Sequence, residues 1–140
     1  MKTVNEIRAL LLAAGLGTRL HPLTKKWPKC LMPIGKRPLL EYWLETLNLT
    51  NVREVIVNLH HHSEIVREFL NRPRFEGWIQ AAYEKKLLGT AGTLRANSGF
   101  FQDCTTLLVH ADNWCQSNFS DFLNYHSKHR PEHCSITMMT

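Results

Sequence analysis

The sequence predicts an α/β fold, a mostly parallel sheet with helices on both faces. Three observations carry this. Short apolar runs alternate with amphipathic segments along the chain, the pattern of a parallel sheet built from crossover units. Several of the runs are short and mostly apolar, as the buried strands of a sheet covered on both faces are. The first run also stops abruptly at glycine, at the carboxyl end of a strand, where open α/β sheets bind their ligands.

Taken in order, "IRALLLAA" (7–14) reads as a buried strand, short and ended by glycine. The stretch 15–34 is a long loop, and loops of that length are commonly functional. Pro38 then starts a helix in which Leu39, Leu40, Trp43, Leu44 and Leu47 form one stripe. "REVIVNLH" (53–60) is a second strand, after which Ser63 can cap "EIVREFL". "GWIQAAYE" (77–84) is a third strand, and "LLGTAGTLRAN" a glycine turn with a short helix. "CTTLLVHAD" (104–112) is a buried strand ending in an acid, 119–129 a helix, and "CSITMMT" (134–140) the start of a further strand.

A chain of 140 residues with 44% hydrophobic content suits one domain with a core of its own. No apolar run approaches the ~20 residues of a membrane span. Residues 1–8 are polar and lack a signal-peptide core, so the expected setting is cytoplasmic, away from membranes. Cys30, Cys104, Cys115 and Cys134 form no CxxC pair, which predicts free thiols. The net charge of +5 fits anionic partners without choosing among them.

The loop after the first strand narrows that choice. Gly15 and Gly17 let backbone N–H groups approach a ligand closely. Arg19 adds a planar fork suited to phosphate oxygens, and Lys29 and Lys36 add point charges. Pro22, Pro28 and Pro33 stiffen the segment, so less entropy is lost on binding. Together these features fit a polyphosphate. The P-loop string GxxxxGK[ST] is absent. GxGxxG fails because Leu20 stands at its third glycine and the loop runs into Pro22, which counts against a dinucleotide-binding oxidoreductase.

The stretch G-L-G-T-R-L-H-P-L-T followed by P-K-C-L-M-P-I-G-K-R-P-L resembles the signature of the nucleoside-triphosphate transferase family, the sugar-1-phosphate nucleotidyltransferases. "EKKLLGTAGTL" (84–94) and "LLVHADN" (107–113) look like the family's next two blocks in order and spacing. The resemblance implies the amino-terminal part of a Rossmann-like nucleotide-diphospho-sugar transferase fold. Residues 1–140 are thus expected to be the nucleotide-binding part of such a domain, cut short at its carboxyl-terminal end.

The implied reaction joins a sugar 1-phosphate to the α-phosphorus of a nucleoside triphosphate and releases pyrophosphate, with Mg²⁺ as cofactor. By resemblance, Arg19 would hold the β- and γ-phosphates, and Lys29 would bridge the α-phosphate and the incoming sugar phosphate. Gly15, Gly17 and Thr18 would line the triphosphate and ribose. Ala13 and Ala14 would offer backbone contacts to the base. Gly89, Thr90 and Gly92 form a turn into a helix N-terminus that suits ribose or phosphate contact, or is simply a turn. Asp112 reads either as a magnesium ligand or as a turn or N-cap residue. Glu84 reads either as a base-reading carboxylate, which would favour guanine, or as a solvated strand-end acid beside Lys85 and Lys86.

The histidines His60–His62, His126, His129 and His133 lack the paired spacing of zinc ligands and read as surface residues. Trp27, Trp43, Trp78 and Trp114 are core or site-wall candidates. No aromatic–basic alternation suggests nucleic-acid stacking.

"LLGTAGTL" with "HADN" leans toward mannose-1-phosphate guanylyltransferase-like members. Thymidylyl- and uridylyltransferases, muramic acid phosphate uridylyltransferases and phosphocholine cytidylyltransferases are the alternatives within the family. The alternative class is a catalytically incomplete nucleotide-binding or regulatory module of the same fold. The family's second aspartate and Glu–Lys sugar-binding block have no counterpart here. Poor turnover by this chain alone is therefore expected, and so is self-association through the strand at 134–140.

Overall fold

The structure, a computed structural model, describes residues 6–140. Residues 1–5 of the polar amino-terminal stretch lie outside the described residues. Strand β1 (Ile7–Leu12) ends two residues before the apolar run does. The reason is local: Ala13 and Ala14 give their N–H groups to the Asn58 side chain instead of a strand partner.

The long loop that follows carries three 3₁₀ turns, Thr18–Leu20, Leu23–Lys25 and Lys29–Leu31. A two-residue antiparallel pair then forms between β2 (Pro33–Ile34) and β3 (Arg37–Pro38). The sequence reading did not foresee this pair. Helix α1 (Leu39–Leu49) starts immediately after Pro38 and buries the whole expected stripe.

Strand β4 (Glu54–Leu59) leads into α2 (Ser63–Leu70). Ser63 is the first helical residue and makes no capping hydrogen bond, because His62 takes the cap position with a left-handed backbone. Strand β5 (Ile79–Tyr83), helix α3 (Gly89–Ala96) and strand β6 (Thr105–His110) follow. Helix α4 (Phe119–Asn124) is capped by Asn118 and continues as a π-helical segment, Tyr125–His129.

The sheet order is β5-β4-β1-β6 and every neighbouring pair is parallel. Helices cover both faces, as the alternation of runs predicts. Ala9 and Leu11 of β1 join α1, α2 and Phe119 in the larger core. Leu10 and Ile56 on the opposite face pack with Phe101 and Leu94 in a smaller one. The expected strand at 134–140 does not form. It pairs with no other strand among the described residues and leaves Ile136 and Met138 exposed. An extended segment without a ladder partner gains nothing from strand geometry. Among the described residues no helix is long and apolar enough to cross a membrane.

Candidate functional site

Beyond the carboxyl end of β1 the chain diverges, to β4 on one side and to β6 on the other. Open α/β sheets form their crevices at such a switch point, and here there is a cleft of about 220 Å³. Leu12 lies at its base. Asn58 and His110 stand beside Leu12 in register on the two neighbouring strands. Ala13, Ala14 and Gly15 line one side, Glu84, Gly89 and Thr90 another, and Lys29 and Asp112 a third. These are residues on which the sequence reading placed binding roles.

One buried network holds the first two walls together. Asn58 Oδ1 accepts from Ala13 N at 2.7 Å and from Ala14 N at 3.2 Å. Its Nδ2 donates to Glu84 Oε1 at 3.1 Å. The same Oε1 accepts from the Thr93 hydroxyl, and Oε2 accepts from Leu88 N at 3.1 Å. A buried carboxylate is tolerable only when it is hydrogen-bonded in this way. Glu84 is thus a buried clamp at the start of α3, not a solvated strand-end acid. The Ala13 and Ala14 N–H groups are already taken, so only their carbonyls remain for a ligand.

The third side is an ion pair. Lys29 Nζ lies 2.6 Å from Asp112 Oδ2, and both side chains are about one-third exposed, 29% and 38%. Asp112 sits in the turn after β6. It is not a helix cap, since Asn118 caps the next helix. Trp43 Nε1 donates to Asn113 O at 2.8 Å, tying this turn to α1.

Gly17, Thr18 and Arg19 do not line the cleft. They form the adjacent 3₁₀ turn, with Arg19 exposed. Gly17 has φ +65°, and a Cβ there would meet Thr24 Cγ2 at 2.8 Å and Lys29 Cβ at 3.1 Å. Only glycine fits that backbone and that gap. Gly89, the first residue of α3, also needs a positive φ, +71°.

The histidine run is not a plain surface feature. His60 Nδ1 lies 2.8 Å from Glu84 O. His61 and His62 both direct Nε2 at Thr24 O, at 3.2 and 3.1 Å. Cys30 also lines the cleft, but burial pushes its thiol up to about 12, which makes it inert as a nucleophile. Among the described residues no three His, Cys, Asp or Glu side chains converge. A single accessible carboxylate fits an ion that takes most of its oxygens from phosphate and water, which is magnesium chemistry.

Asn58, Thr93 and His110 were missed by sequence reasoning. Asn58 had one signal, a polar residue set among the apolar residues Val55, Ile56, Val57 and Leu59 of its strand. A second cleft of about 260 Å³ lies between α1 and residues 114–117. It holds no charged side chain, whereas the first gathers a cation and two carboxylates.

The family model described as Nucleotidyl transferase matches residues 8–140. Mannose-1-phosphate guanylyltransferase catalytic subunit beta of Danio rerio is 33% identical over 130 residues, 90% of this chain and 36% of the relative. A mannose-1-phosphate guanyltransferase of Aspergillus oryzae is 28% identical over the same shares. The chain therefore spans little more than a third of the length of these curated relatives. A solved UDP-glucose pyrophosphorylase complexed with UDP-glucose superposes with a TM-score of 0.77 at 19% identity, over 89% of this chain and 54% of that one. This last likeness is one of fold.

Proposed function

The chain belongs to the nucleotidyl transferase family, and on that footing we propose that its cleft binds a nucleoside triphosphate with Mg²⁺ for transfer of the nucleotidyl group to a sugar 1-phosphate. The observation that carries the reading is the meeting of Lys29 and Asp112 at 2.6 Å beside the 13–15 backbone. A cation for phosphate and a carboxylate for a metal share one cleft at the switch point.

A sugar-phosphate oxygen attacks the α-phosphorus, the bond to the bridging oxygen breaks, and pyrophosphate leaves with the electron pair. The protein's part is positioning and charge. Lys29 leaves Asp112 to hold the α-phosphate and the incoming phosphate. Arg19, on the adjacent turn, holds the departing pyrophosphate. Gly17 and Thr18 offer backbone donors, and Gly89 and Thr90 contact the ribose. Asp112 would hold Mg²⁺, which when bound neutralises charge on the triphosphate.

Glu84 Oε1 already accepts twice, so the carboxylate accepts one base N–H, through Oε2. The preference for GTP and mannose 1-phosphate therefore rests on the mannose-1-phosphate guanyltransferase relatives, not on two-point recognition by Glu84. A cytoplasmic setting is proposed in keeping with four free thiols.

The test is calorimetric titration of the chain with GTP, UTP, dTTP, CTP and ATP, with and without Mg²⁺. Pyrophosphate release is then assayed with mannose, glucose and muramic acid phosphates and with phosphocholine. Tightest binding of GTP is expected. Failure to bind any nucleotide would overturn the reading. Binding without release would make this chain a nucleotide-binding part and not a complete catalyst.

A further inference from the structure

We infer that His61 and His62 are positioning residues that fix the phosphate-facing loop by sharing the Thr24 carbonyl, an inference that rests on the reading of that loop just given. Thr24 is fully buried in a loop whose neighbours Leu23, Lys25 and Lys26 are exposed. Its side chain reaches the glycine turn: Oγ1 donates to Gly17 O at 2.7 Å, and Cγ2 fills the space a Gly17 side chain would need. Lys29 Cβ borders the same gap, 3.1 Å from where a Gly17 Cβ would stand. Thr24 is thus the point through which the Gly17 turn and Lys29 are held together.

What holds Thr24 comes from another element. The His61 and His62 Nε2 atoms lie 3.2 and 3.1 Å from its carbonyl oxygen. A carbonyl oxygen has two lone pairs and can accept from both. Consecutive residues in extended chain point to opposite sides, so two neighbours reaching one atom need a bend. His62 supplies it with φ +52° and ψ +37°, a conformation non-glycine residues seldom adopt. The rings end 3.9 Å apart, centroid to centroid. Such strain persists only where surrounding contacts over-determine it.

His60, the preceding residue, bonds the Glu84 carbonyl. One turn after β4 therefore ties the loop that faces phosphate to the strand end at the opposite wall. The pair touches no reacting atom and acts through Thr24 and Gly17.

The experiment uses the full chain and needs three comparisons. In the parent, nitrogen NMR of the imidazoles should show both His61 and His62 protonated at Nε2, since both are donors. A proton on Nδ1 alone in both rings overturns the inference without any mutation. The double change His61→Ala with His62→Ala should speed hydrogen exchange across residues 17–31. It should also weaken triphosphate binding about five- to tenfold, the scale of losing hydrogen bonds of this kind, with little effect on monophosphate. The double change His61→Gln with His62→Gln keeps a donor at similar reach and should restore both readouts.

Unchanged exchange in the alanine pair, or no rescue by the glutamine pair, overturns the inference. If the alanine pair does not fold, the parent tautomers and the glutamine pair still decide it. If no variant or parent binds nucleotide, the functional reading fails, while loop exchange still tests the clamp.

Discussion

Lys29 Nζ sits 2.6 Å from Asp112 Oδ2, so the cation of the cleft and its more exposed carboxylate neutralise each other. An ion pair this exposed adds on the order of 0.2–1 kcal/mol to stability. Its consequence is mostly for binding. A phosphate that takes Lys29 frees Asp112 for a cation, and a cation on Asp112 frees Lys29 for phosphate.

Asp112→Asn is therefore expected to leave the melting temperature within a few degrees of the parent, roughly the effect of 1 kcal/mol. It should abolish the dependence of nucleotide binding on Mg²⁺. Calorimetric titration across a Mg²⁺ series checks this. A variant that unfolds, with metal dependence intact in its folded fraction, would make Asp112 structural.

Arg19→Ala should weaken triphosphate binding by about 1.5–3 kcal/mol, the worth of a charge-assisted phosphate contact. Monophosphate binding should hardly change, because the β- and γ-phosphates are absent. Paired titrations with both nucleotides read the difference. Equal losses would remove Arg19 from the leaving-group role.

Asn58→Leu should cost stability more than any surface change. It leaves the Ala13 and Ala14 donors and the Glu84 carboxylate short of partners in a buried place. Each such group costs about 1–3 kcal/mol, so a loss above ~2 kcal/mol is expected in urea unfolding. Nucleotide affinity should fall too, as the 13–15 backbone loses its anchor.

Cys30 sets an alkaline limit. Its thiol is pushed from an ordinary 9.0 to about 12 by burial. Below 9.0 both folded and unfolded thiols keep the proton, and the contribution is fully present. As pH rises from there toward 12, the unfolded thiol loses its proton while the folded one keeps it. Stability therefore falls, by at most about 1.4 kcal/mol per pH unit. Urea midpoints measured from pH 8 to 11 should decline less steeply in Cys30→Ala than in the parent.

We propose that the chain self-associates. Among the described residues strand β6 is an edge of the sheet, and Ile136 and Met138 are 77% and 78% exposed. Open edges and exposed apolar residues favour pairing with a second copy. Light scattering should give a mass above that of one chain, and Met138→Lys should reduce it. A parent that stays monomeric at high concentration would dispose of the proposal.

The parallel sheet and its helices were legible because each buried strand is a short apolar run and α1 carries an unbroken stripe. The β2–β3 pair was not, since two residues per strand leave no period to read. The segment 134–140 misled for the opposite reason: β-prone composition does not supply a ladder partner. That Lys29 and Asp112 would lie at the cleft was readable from their motifs. Asn58 was not, because its role depends on parallel register with Leu12. Glu84 was readable as a position, but its environment stayed open between a base-reading and a solvated acid, because nothing local in "YEKK" announces that three donors will bury it.

The strand order also sets a timetable for synthesis. β1 lies between β4 and β6 and is the first strand made, yet Leu12 pairs with His110 on one flank. At ribosomal speeds of about 5–20 residues per second, that flank waits several seconds or more for its partner after β1 has emerged. Throughout the wait, β1, apolar at every position but Arg8, shows an open edge to the cell. A factor that shields nascent hydrophobic segments would act here on residues 7–12, and slower translation between codons 60 and 105 would lengthen the period of risk.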